Sequence, residues 1–246
     1  MTYIDLNCDM GEGIGDDALL MPWISSANIA CGYHAGDEET MKRTVELAVM
    51  HGVAIGAHPG FLDKENFGRT EMILPLTMIY DWIATQLHSL QKICSAFNTT
   101  IHHVKPHGAL YNMAAKDAAL ADTIARAIKD VNTGWILYGL SGSYLVSEAK
   151  RKGLLTAAEV FADRTYQDDL SLTPRSQANA LIQDEEQALQ QVLQMIQQQT
   201  VQSITHTTIP IAAETICLHG DGKHAVAFAK RIHQSLKENN IAIHTI

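Results

Sequence analysis

Three histidines and a lysine crowd the stretch HHVKPHGALYN, His102 to Asn112, which otherwise reads as a buried strand. Titratable side chains also end other apolar runs: Asp9 in YIDLNCDM, His34 in SSANIACGYHAG, His58 in VAIGAHPG, Asp163 in LLTAAEVFAD and His219 in TICLHGDG. Carboxylates and imidazoles move protons near neutral pH, and lysine or arginine holds anions and developing oxyanions. Gathered in one place, these groups would make an acid–base site with a cation beside it. Taken singly, a histidine at a strand end is more often structural. Coincidence on six strands argues for a site, because each buried titratable group must find a partner or lose its charge.

Whether they gather depends on the elements that carry them. Strand-like and helix-like segments alternate along the chain, which predicts right-handed crossovers and a parallel sheet. Seven such units predict a single domain over residues 1–246, a seven-stranded parallel β/α barrel. Periodicity alone also allows an open doubly wound sheet. Side chains alternate between the two faces of a strand. In the first strand Ile4, Leu6 and Cys8 oppose Asp5, Asn7 and Asp9. In the fourth, His103, Lys105 and His107 share a face, and in the sixth Glu159, Phe161 and Asp163 do. Turning the apolar face toward helices sends the polar face into the lumen. The last lumen residue of each strand then lies at the C-terminal rim, where barrel enzymes keep their sites. Asp37 and Asp117 are expected as helix N-caps, Ser141 or Ser143 as another, and Gly153 as a helix end.

Composition narrows the class. The chain has 246 residues, 46% of them apolar, and a net charge of −9, which argues against a nucleic-acid partner. No basic leader and no long apolar stretch is present, so neither signal peptide nor membrane span is expected. Cys8, Cys31, Cys94 and Cys217 form no CxxC pair and are expected as free thiols in the cytoplasm.

The motifs DLNCDMGEG, SANIACGYHAGD, GVAIGAHPG, FGRTEM, VKPHGALYN, EVFADRTY, LTPRSQANALI and CLHGDG resemble those of the LamB/YcsF family, the family of the 5-oxoprolinase A subunits. They run in order from residue 5 to residue 222. The resemblance implies a barrel similar to that of polysaccharide deacetylases. It also implies opening of 5-oxoproline to L-glutamate with ATP as co-substrate, in company with subunits B and C. Such a reaction needs a cation, oxyanion donors, a base for water and an acid for the departing nitrogen. Lys105 is expected to stabilise charge, and Asp9 to act as base with help from His58 or His107. Asn7, His34, Asp163, Arg164 and His219 are expected to bind substrate, with Arg69 a weaker anion ligand.

No GxxxxGK[ST] and no GxGxxG between strand and helix occurs, so no residue is assigned to the nucleotide. Two other readings compete. One is a metal-dependent deacylase using Asp9, His34, His58 and His107. Met10 follows Asp9 where such deacetylases pair two aspartates, and His103 and His107 would stand about 13 Å apart in one extended strand. No stoichiometric metal is therefore expected. The other is a non-catalytic subunit that presents 5-oxoproline to partners.

Overall fold

The computed structural model describes residues 2–14, 16–218 and 225–246, so His219 lies outside the described residues. In chain order the strands are β1 (Tyr3–Met10), β2 (Ser26–Ala30), β3 (Ala54–His58), β4 (His103–Val104), β5 (Ile136–Leu140), β6 (Leu155–Phe161), β7 (Thr200–Gln202), β8 (Thr208–Pro210), β9 (Thr215–Leu218) and β10 (Ala242–Ile243). The helices are α1 (Asp17–Leu20), α2 (Glu38–His51), α3 (Leu76–Ala96), α4 (Gly108–Lys116), α5 (Ala118–Val131), α6 (Tyr144–Lys152), α7 (Glu185–Gln198) and α8 (Ala225–Glu238).

Strands β1 to β6 pair in sequence order, β9 pairs with β6, and β9 returns to β1. All these pairings are parallel, so seven strands close into a barrel. Closure decides between the two sheet architectures that periodicity allowed. On β1, Ile4, Leu6 and Cys8 are fully buried beneath the helices, and Asp5 and Asn7 are fully buried on the inner side. The ring of helices follows from ordinary amphipathicity. Leu120, Ile124 and Ile128 recur at helical spacing on the buried face of α5, which packs between α3 and α6.

The helix boundaries follow their capping residues. Asp37 accepts the Thr40 N–H ahead of α2, and Asp117 accepts the Ala119 and Leu120 N–H groups ahead of α5. Ser143 occupies the N-cap position of α6 without a side-chain cap bond, and Gly153 ends that helix with φ of 80°.

Three departures from the expected elements matter. The His102–Asn112 stretch is strand only at His103–Val104. Ladder bonds to β3 continue from the Lys105 N–H to the Ala57 carbonyl and from the His107 N–H to the Pro59 carbonyl, both 2.9 Å. Pro106 has no N–H to extend a ladder, and Gly108 (φ 53°) then turns the chain into α4, so Leu110, Tyr111 and Asn112 are helical. Second, β7 and β8 form a small antiparallel hairpin outside the barrel. Third, β10 pairs with the start of β1 at Tyr3 and Ile4. Elements of two or three residues carry too little periodicity to be read from sequence.

Candidate active site

The lumen is filled by polar side chains in stacked tiers rather than left open. At the bottom, Asp5 accepts the hydroxyls of Ser25 (2.6 Å), Ser26 (2.7 Å) and Thr215 (2.6 Å). One tier up, the Asn7 amide donates to Thr215 (2.7 Å) and Glu159 (3.0 Å). Asn28 donates to Asn7 (2.7 Å) and Asp9 (2.9 Å), and accepts from His103 Nε2 (2.8 Å). His103 also stacks on Tyr138, with ring centroids 4.0 Å apart. The Tyr111 hydroxyl, delivered by the first turns of α4, donates to Glu159 at 2.6 Å.

Lys105 reaches into this network from the end of β4. Its Nζ lies 2.9 Å from both Asp9 and Glu159, 3.2 Å from Asn7 and 3.0 Å from Cys217 Sγ. Burial works against the ammonium, yet the adjacent Asp9 and Glu159 carboxylates more than offset it and hold its pKa well above the usual lysine value. Burial pushes the Cys217 and Cys8 thiols up, so both are neutral near pH 7. All four cysteines are free and buried.

Above the lysine sits a cluster of imidazoles. His58 Nε2 is 3.3 Å from Asp9 Oδ2 and 2.9 Å from His107 Nδ1. His34 stacks on His107 with centroids 3.8 Å apart and planes 6° off parallel. Burial pulls the pKa values of His34 and His107 well below the ordinary histidine value, and the neighbouring rings add to the effect. A cavity of about 520 Å³ opens over this layer, floored by Asp9, Glu12, His58, Lys105 and His107. Its lining also includes Tyr111 and Phe161, the cations Arg69, Lys116, Arg164 and Arg175, and the carboxylates Glu71 and Asp117. The cavity therefore brings carboxylates and imidazoles together with arginines. That arrangement suits a small anion whose reacting centre must reach a base.

Of the residues singled out from sequence, Asp9, His58, Lys105 and His107 converge on the cavity floor. His34 joins them through the stacked ring, although it follows β2 in a turn. Asn7 lies a tier below, fully buried and bonded to its neighbours. Arg164 lines the cavity, while its guanidinium donates to the carbonyls of Thr173 (2.6 Å) and Ala180 (3.2 Å), pinning the loop above β6. Asp163 takes part in the same loop, its carbonyl accepting the Ile182 N–H at 2.9 Å. His219 lies outside the described residues.

Glu12 was not foreseen, and it changes the expectation about metals. It lies beyond the end of β1, where strand parity no longer applies. Gly11 (φ 69°) and Gly13 (φ 76°) flank it and turn the chain back across the mouth. Glu12, His34, His58 and His107 together form a group able to hold a metal ion. Glu159, on the inward face of β6, and Tyr111 are two further residues at the site that the sequence reading leaves unassigned.

A closed parallel β/α barrel with a base, a cation and imidazoles converging at its C-terminal mouth has the layout of a barrel enzyme. The chain belongs to the LamB/YcsF family, whose profile matches residues 4–246. It is 51% identical over 248 residues to the A subunit of 5-oxoprolinase from Tolumonas auensis, with 99% of each protein covered. The crystal structure of a lactam utilization protein from Thermus thermophilus superposes with a TM-score of 0.94 at 36% identity, covering 100% of both chains. The catalytic domain of a peptidoglycan N-acetylglucosamine deacetylase from Eubacterium rectale gives a TM-score of 0.55 at 13% identity, covering 100% of this chain and 88% of that one; this likeness shows a shared fold alone. Among the described residues no helix is long and apolar enough to cross a membrane.

Proposed function

We propose that this chain is the lactam-handling barrel of an ATP-dependent 5-oxoprolinase that works with subunits B and C in the cytoplasm. One observation carries the reading: Lys105 sits between Asp9 and Glu159 directly beneath a cavity bordered by arginines. The names of the similar proteins point to the same substrate class.

5-Oxoproline is a small lactam bearing one carboxylate. Arg69, Arg164 and Arg175 are among the cavity-lining residues and supply cations for such an anion. Amide resonance makes the lactam carbonyl a poor electrophile. Phosphorylation of its oxygen by ATP would remove that resonance and create a leaving group. Asp9, ion-paired to Lys105 at 2.9 Å, takes the proton from the attacking water. The Lys105 ammonium balances the negative charge that grows on oxygen. The ring nitrogen departs with the proton that Asp9 took up, which breaks the C–N bond and leaves an acyl phosphate; a second water then releases inorganic phosphate and L-glutamate.

The test is glutamate release from 5-oxoproline, measured with this chain alone and with subunits B and C, each with and without ATP. Release is expected only in the complete mixture with ATP. Comparable ATP-independent release by the single chain would overturn the reading.

A further inference from the structure

Four metal-ligating side chains gather at the barrel mouth. Glu12, His34, His58 and His107 each contribute one ligand atom, and these four atoms lie within 4.8 Å of one another. They come from the ends of four successive strands, β1 to β4, so barrel closure itself brings them together.

Hydrogen bonding fixes what two of them present. His58 Nδ1 lies 2.6 Å from the Lys105 carbonyl oxygen. A carbonyl only accepts, so Nδ1 carries the proton and Nε2 turns a lone pair inward. His107 Nε2 lies 2.8 Å from the Phe67 carbonyl, so it donates there and Nδ1 turns a lone pair inward. The two inward nitrogens face each other at 2.9 Å. With neutral rings in these tautomers no hydrogen bond can form between them. Two lone pairs at that distance repel unless a cation lies between.

The other two donors point the same way. Glu12 Oε1 is 3.6 Å from His34 Nε2 and 3.6 Å from His107 Nδ1. His34 is 1% exposed and makes no hydrogen bond through either ring nitrogen. A buried imidazole without a hydrogen bond requires an explanation. Ligand atoms about 2.1 Å from a tetrahedral ion stand about 3.4 Å apart; three of the six separations here are 2.9, 3.6 and 3.6 Å, and all lie within 4.8 Å, so small side-chain shifts close the set around one ion.

We propose that Glu12, His34, His58 and His107 bind one divalent transition-metal ion of the zinc class. Three imidazoles and one carboxylate suit a borderline ion such as zinc or cobalt, whereas magnesium and calcium take oxygen-rich shells. The Lys105 and Phe67 carbonyls act as the outer partners that fix ligand tautomers at metal sites. Phe67 holds its carbonyl there from a left-handed backbone (φ 57°), a costly conformation for a bulky residue. Gly60 and Gly68 leave room for the rings: a Cβ at Gly60 would stand 2.7 Å from His34 Nδ1, and one at Gly68 2.9 Å from His107 Cδ2. The inference goes beyond the 5-oxoproline reading and does not depend on it.

The experiment uses the full chain, stripped with chelator and titrated with cobalt(II) or zinc(II). Elemental analysis should find about one ion per chain, and cobalt should give the intense visible absorption of a low-coordinate site. His34→Ala and Glu12→Gln should each weaken zinc binding on the order of 100-fold, with circular dichroism confirming that the variants fold. The wild-type cobalt spectrum reads the site without any variant. Uptake well below stoichiometry, a hexa-aqua-like cobalt spectrum, or variants that bind as tightly as wild type would overturn the proposal. So would imidazole nitrogen NMR showing a shared proton between His58 and His107 in metal-saturated protein. Metal uptake by a protein inactive on 5-oxoproline in the complete mixture would count against the functional reading alone.

Discussion

Replacing Lys105 with methionine would leave Asp9 and Glu159 facing each other across the lumen with no cation between them. Removing one partner from a buried ion pair costs about 3–5 kcal/mol, readable as a lower urea midpoint. Glutamate release by the reconstituted enzyme should fall on the order of 100-fold or more. Adding Glu159→Gln to Lys105→Met should recover part of the stability and none of the turnover. Tyr111→Phe removes the hydroxyl that donates to Glu159 at 2.6 Å and should cost about 1–3 kcal/mol in the same assay. His103 supplies a pH dependence. Burial, then His102, Lys105 and His58, hold its pKa well below the ordinary value, while Asp9 acts in the opposite sense. The unfolded chain therefore binds a proton that the folded chain refuses, and stability falls as pH drops below about 6.5. Melting of chelator-treated protein between pH 7 and pH 5 should show this decline, and His103→Gln should make it shallower, with His34 and His107 keeping the remainder.

At the level of elements, the tightest tolerance lies where β3 passes the His103 ring. A Cβ at Gly56 would stand 2.0 Å from His103 Nε2. Gly56→Ala should therefore push the ring off Asn28 and lower the melting temperature by an amount equivalent to about 1–3 kcal/mol. The long elements were legible because their patterns repeat: β1 alternates over eight residues, and α5 buries a clear stripe. That alternation was enough to send Asn7, Asp9 and Lys105 inward. It failed where the backbone stops repeating. Glu12 reaches the site through a turn set by two glycines, and Tyr111 reaches it because Gly108 starts a helix inside what looked like a strand. Arg164 shows a different limit. Sequence offers a guanidinium beside the rim, but only the folded loop reveals that two carbonyls engage it.

For the molecule as a whole, the two ends of the barrel differ. At the upper end lies the cavity. At the lower end, β10 pairs with β1, Thr245 meets Ser26 at 3.4 Å, and the Ile246 carbonyl meets His102 Nε2 at 3.0 Å. Deleting residues 242–246 should admit water to Asp5 and Tyr138, both fully buried. Faster hydrogen exchange at β1 and β2 and a lower melting temperature are the expected signs. The intact molecule is thus a cup rather than a tube. Under the proposed function, reactant and product would share the cavity end of the barrel, and each turnover would finish with glutamate backing out before another lactam came in.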